Sequence, residues 1–146
     1  MPSIYDPARR QELRDRLAKL TPDRAPRWGR FSARQMVTHL LESYRMGAGE
    51  LRLPVRPLPL RAVVRYLMIH VLPFPRSAPT APQLLARAPD SWERDVAALS
   101  DRIASRVEPA PGAELATHPL FGRMSAADWG VLSYKHTDHH FRQFGI

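Results

Sequence analysis

A chain of 146 residues without cysteine is long enough to bury one sizeable core and too short for two. It can hold no disulfide, thiolate metal site or cysteine nucleophile. Its formal charge of +8 comes from 20 Arg against 2 Lys, dispersed among 15 Pro with no basic block of five or more, which reads as compositional bias, so nucleic acid is not an expected partner.

The first residues show no basic segment followed by an apolar stretch. The most apolar window, 58–74, carries Arg61, Arg65 and His70 between prolines. The expectation is one cytoplasmic domain over 1–146 with no membrane span. In chain order, Asp6-Pro7 predicts an N-cap with proline in the first turn, and Leu13, Leu17 and Leu20 recur at helical spacing over 7–20. Ser32 opens a second helix whose Met36, Val37, Leu40, Leu41 and Tyr44 form an apolar face ending near Gly47 or Gly49. His39 lies on the edge of that face.

Between 51 and 82, seven prolines interrupt regular structure, leaving room for one short helix at 60–72. Its Val63, Val64, Leu67, Met68, Ile69 and Val71 are expected to be buried. Asp90-Ser91-Trp92-Glu93 reads as a capping box, and Trp92, Val96, Leu99 and Ile103 form a stripe running to about Val107. Ser125 starts a last helix with Trp129, Leu132, His136, His140 and Phe144 on or near one face. Four long amphipathic helices, no strand and a long Pro-rich crossover holding a short helix between helices two and three predict an all-α four-helix bundle.

Three of the six histidines stand at 136, 139 and 140. His136 and His140, four apart, project from one helical face, as two imidazoles sharing a divalent metal must. His139 is the rival, because a three-residue step also brings it near His136. An internal echo suggests a third ligand. Trp28-Gly29-Arg30-Phe31-Ser32-Ala33 and Phe121-Gly122-Arg123-Met124-Ser125-Ala126 both read aromatic, Gly, Arg, apolar, Ser, Ala, a turn into a serine cap. His39 lies seven residues past its cap and His136 eleven past its own. The difference is about one turn, so the two share an angular position within about 40°.

His39, His136 and His140 would then be neutral donors suited to Zn²⁺, Ni²⁺ or Fe²⁺, with open positions for water or substrate. The competing reading makes each an ordinary boundary histidine, with the 136–140 cluster charged at its helix C-terminus. Glu42 is a fourth ligand, a general base or a surface charge. Asp138 is an acceptor for a ligand imidazole or a solvated residue. Tyr44 and Gln143 face the interior as pocket-lining residues. Trp92 and Trp129 read as core, His70 as part of the crossover, and His118, before a proline, as structural.

A histidine on helix two followed by paired histidines on the last helix resembles the DinB/YfiT-like superfamily of metalloenzymes. The stretch His118-Pro119-Leu120-Phe121-Gly122-Arg123-Met124-Ser125, then Trp129, His136-Thr137-Asp138-His139-His140 and Gln143-Phe144-Gly145, is similar to a bacterial subfamily of unknown function within it. Arg27-Trp28-Gly29-Arg30 and Ala78-Pro79-Thr80-Ala81-Pro82 look like it too. The resemblance implies an up-down-down-up bundle, with a divalent metal, zinc or nickel, at His39, His136 and His140. It also implies a thiol-dependent transferase in which the metal activates a low-molecular-weight thiol, or water, against a small-molecule substrate. The His139-His140 pair departs from the family pattern. The alternative is a non-catalytic bundle binding a small molecule or a partner, with a structural metal or none; pairing into a homodimer is left open.

Overall fold

The computed structural model describes residues 1–76 and 80–146; the Ala78-Pro79 part of the link noted above lies outside them. The chain is all-α. Helix α1 spans Pro7–Leu17, with the Asp6 carboxylate accepting the Ala8 N–H at 2.9 Å and proline where no helical hydrogen bond is lost. It stops short of residue 20 because the chain tightens into turns, Lys19 and Leu20 donating to the carbonyls of Arg16 and Leu17. Leu20 is nonetheless buried.

Helix α2, Ala33–Gly47, and helix α5, Ala126–Gln143, begin alike. Ser32 and Gln35 cap one another reciprocally, and so do Ser125 and Asp128. Gly29 and Gly122 precede these caps at φ 81° and 70°, a left-handed turn that costs glycine little. Phe31 packs against the core and Met124 is buried, so the sequence echo is a repeated way of starting a helix.

Helix α3, Arg61–Tyr66, runs into a π-helical turn, Leu67–Val71, closed by Leu72 N–H on the Leu67 carbonyl at 2.7 Å. The burial expected there is corrected: of the six apolar residues only Ile69 is buried, while Val63, Leu67 and Val71 are exposed. The crossover docks by one edge, and side chains of α5 hold it. The Lys135 ammonium donates to the carbonyls of Met68, Ile69 and Leu72, and His70 Nε2 meets Asp128 at 2.7 Å.

A 3-10 turn at Pro82–Leu85 follows and packs on α2. Helix α4, Trp92–Ala104, is capped by Ser91 alone. The expected box does not close, because Ser91 is the cap and Arg94, not Glu93, occupies the third helical position; Glu93 instead accepts the Ser91 hydroxyl proton at 3.1 Å. The N–H of Asp90, just before the cap, goes to Asp95 at 3.0 Å. The helix ends before Val107, which is exposed.

Helices α1 and α2 each pack on both α4 and α5. Leu13, Leu17, Met36, Leu40, Leu99, Ile103 and Phe141 fill the space between them, all essentially inaccessible. Each contributes about 1.5–3 kcal/mol relative to exposure. A second apolar cluster, including Ile69, Leu84, Phe121, Trp129 and Leu132, joins the crossover to α5. Among the described residues there is no strand, and no helix is long and apolar enough to cross a membrane.

Candidate metal centre

His39 sits on the second turn of α2, and His136 and His140 on successive turns of α5. Because α2 packs against α5, the three rings meet with centroids 4.8–5.1 Å apart. The Nε2 of His136 lies 3.2 Å from that of His39 and 3.2 Å from that of His140. His39 and His140 are buried, and His136 keeps part of its surface on a cavity.

The other ring nitrogens identify the tautomers. His39 Nδ1–H donates to the Leu84 carbonyl at 3.3 Å, and His140 Nδ1–H donates to Gln143 Oε1 at 2.8 Å. Burial pushes His39 down to about 4 against the opposing effect of the Leu84 bond. It pushes His140 down to about 3, with His39 adding to the shift and Gln143 opposing it. His136 is held well below its ordinary value by burial and then by the neighbouring histidines. All three are therefore neutral at pH 7. A neutral imidazole carries one N–H, so His39 and His140 both present Nε2 lone pairs to His136.

One N–H on His136 cannot point at both neighbours, whereas a shared cation would satisfy all three nitrogens. At metal–nitrogen distances of about 2.0–2.1 Å, two nitrogens 3.2 Å apart subtend an angle of about 100°, close to tetrahedral. The donor set, its tautomers and its spacing fit a divalent transition metal, and these three histidines lie close enough to hold one.

Of the other residues singled out from sequence, Gln143 does more than line the pocket. Its Oε1 fixes His140 while its Nε2 donates to the Trp28 carbonyl at 2.8 Å. Tyr44 also lines the cavity. The Thr137 hydroxyl proton goes to the Ser133 carbonyl, so Tyr44 donates to Thr137 at 3.0 Å; burial raises its phenol to about 12. His139 is not one of the three clustered histidines and packs edge-on against His140, Trp28 and Phe74.

Glu42 is buried but points to Arg45 at 3.1 Å and Arg87 at 3.6 Å, outside the histidine cluster. Asp138 pairs with Arg16 at 2.8 Å and Arg142 at 3.0 Å, tying α5 to α1 instead of supporting a ligand imidazole.

A family model described as a protein of unknown function, DUF1569, matches residues 9–145. The chain belongs to the DUF1569 family. No curated protein matches it, and no solved structure does. The DUF1569 match carries no link to the DinB/YfiT-like superfamily.

In this DUF1569 chain the triad forms one wall of a cavity of about 390 Å³, within the usual range for small-molecule sites. Phe31, Phe74, Leu84, Phe121 and Leu132 supply apolar surface. His118 also lines it, and its Nδ1 accepts the N–H groups of Leu120 and Phe121, each at 3.1 Å. The structural role expected for His118 is therefore joined by a place on the cavity wall. The Leu84 carbonyl was not legible from sequence. Proline at the start of its turn was the only local signal.

Proposed function

We propose that this chain is a divalent-metal-dependent enzyme on a DinB-like four-helix bundle. His39, His136 and His140 would hold zinc or nickel beside a cavity that admits a small molecule. The supporting observation is the convergence of three Nε2 atoms, with two of the imidazoles oriented by Nδ1–H bonds to Leu84 and Gln143. An ion held there would supply Lewis acidity, lowering the pKa of a low-molecular-weight thiol or of water, as a transferase needs.

The chain itself provides the rest. Leu84 and Gln143 keep the ligand lone pairs aimed inward, and Phe31 and Phe74 shield the nucleophile from bulk water. His139, neutral and half-buried on the cavity wall beside His140, would be the group to take up a proton released there. Tyr44 cannot serve as an acid there, since its proton is committed to Thr137.

Metal analysis of purified protein tests this reading. About one equivalent is expected, lost in His39→Ala and His136→Ala, with Zn²⁺ or Ni²⁺ raising Tm of the wild-type chain. A metal-free protein whose stability is unmoved by either ion refutes the metal site. Metal binding without turnover across a panel of thiols and electrophiles refutes catalysis and leaves a binding protein.

A further inference from the structure

The described residues lining the cavity include no Asp or Glu, yet three arginines, Arg30, Arg56 and Arg76, are among them. The asymmetry begins in the sequence, since residues 51–89 carry six arginines and no carboxylate. Arg16, Arg45, Arg87, Arg102 and Arg142 each meet a carboxylate; Arg30, Arg56 and Arg76 have no such partner among the described residues, so no carboxylate offsets their charge at the cavity.

Arg76 is held in another way. Its guanidinium lies over the Trp28 ring, 4.8 Å from the centroid, a cation–π contact that leaves its N–H fork open to an oxyanion. Trp28 is edge-on to His139, which in turn abuts His140, so this cation stands beside the triad. His118 adds a donor. With Nδ1 accepting two backbone N–H groups, its single proton sits on Nε2. Unpaired guanidinium groups around an apolar cavity disfavour a cationic organic guest and would leave a neutral guest with nothing to offer the arginines.

We propose that the cavity takes a small organic anion, with its carboxylate or phosphate-type oxyanion at Arg76, helped by Arg30 and Arg56. Its apolar body lies along Phe31 and Phe74. The proposed metal site enters only in placing the reacting end of that molecule at the triad; the charge selection stands on the arginines.

The test is calorimetric titration of the full chain, metal-free and zinc-supplemented, with three probes sharing one ring: benzoate, phenylphosphonate and uncharged benzamide. Both anions are expected to bind the metal-free chain, and benzamide about tenfold more weakly or not at all. Anion affinity falls about tenfold in Arg76→Gln, partly recovers in Arg76→Lys, and weakens with salt. Circular dichroism and melting confirm that these surface variants remain folded.

The proposal is overturned if benzamide matches benzoate, if Arg76→Gln and an Arg30→Gln/Arg56→Gln double variant bind anions unchanged, or if no probe binds. It is equally overturned if anions bind only with zinc and regardless of the arginines, since the metal would then be the anion site. Arginine-dependent anion binding in a chain that takes up no zinc supports it while removing the metal reading.

Discussion

Replacing Gln143 by leucine isolates what the surroundings of the histidines contribute, because the side chain is buried and of similar size to its replacement. Its amide makes two hydrogen bonds of 2.8 Å, accepting from His140 Nδ1 and donating to the Trp28 carbonyl. Leucine leaves both partners without a mate in a largely buried position, at about 1–3 kcal/mol each. The metal-free chain should therefore lose about 2–6 kcal/mol in urea unfolding. His140 also loses the bond that fixes its tautomer, so zinc affinity measured against a chromophoric chelator should fall about 10–100-fold. Gln143→Glu separates the two effects. Its carboxylate still accepts from His140 but faces the Trp28 carbonyl without a donor, so metal affinity should be retained while stability falls. A folded Gln143→Leu protein whose zinc affinity lies within about twofold of wild type would refute the reasoning.

Acid should destabilise the chain through His118. Burial lowers it from its ordinary 6.5 to about 4, so the unfolded state binds the proton more readily. Its contribution is fully present above pH 6.5 and is lost as pH falls from 6.5 through 4, at most about 3 kcal/mol. His118→Asn keeps an acceptor for Leu120 and Phe121 but cannot titrate. Its stability should fall less steeply between pH 6 and 5, by about 1.4 kcal/mol per pH unit; an unchanged slope counts against the assignment. Lys135→Met removes the donor that gathers the carbonyls of Met68, Ile69 and Leu72. Limited proteolysis should then cut the crossover several-fold faster than wild type while the fragments containing α2 and α5 resist. Equal rates would mean that the crossover is held by other contacts.

Helix starts were legible in the sequence because they are written locally: Asp6, Ser32, Ser91 and Ser125 each cap the helix that follows. The triad was legible because it depends on spacing along two helices and on a shared way of starting them. Asp138 and Glu42 were not, since Arg16 and Arg87, which share in claiming them, are distant in sequence. Nothing near a carboxylate in the sequence says which arginine will reach it. The crossover misled for another reason. Its apolar residues suggest a buried helix, but the π-helical turn after α3 has only one neighbouring surface to lean on, that of α5, and Ile69 takes it.

The Leu84 contact has a consequence for how this family can vary. What fixes His39 at that point is a main-chain oxygen, supplied by whatever amino acid occupies position 84. Side chains along 80–85 could therefore drift, reshaping the wall against which a guest rests, while the ligand set stays in register. A one-residue insertion or deletion there would behave differently. It would rotate the carbonyl away from His39 and disable the centre without altering any residue that belongs to it. Across the family, length in this turn should be held more tightly than composition.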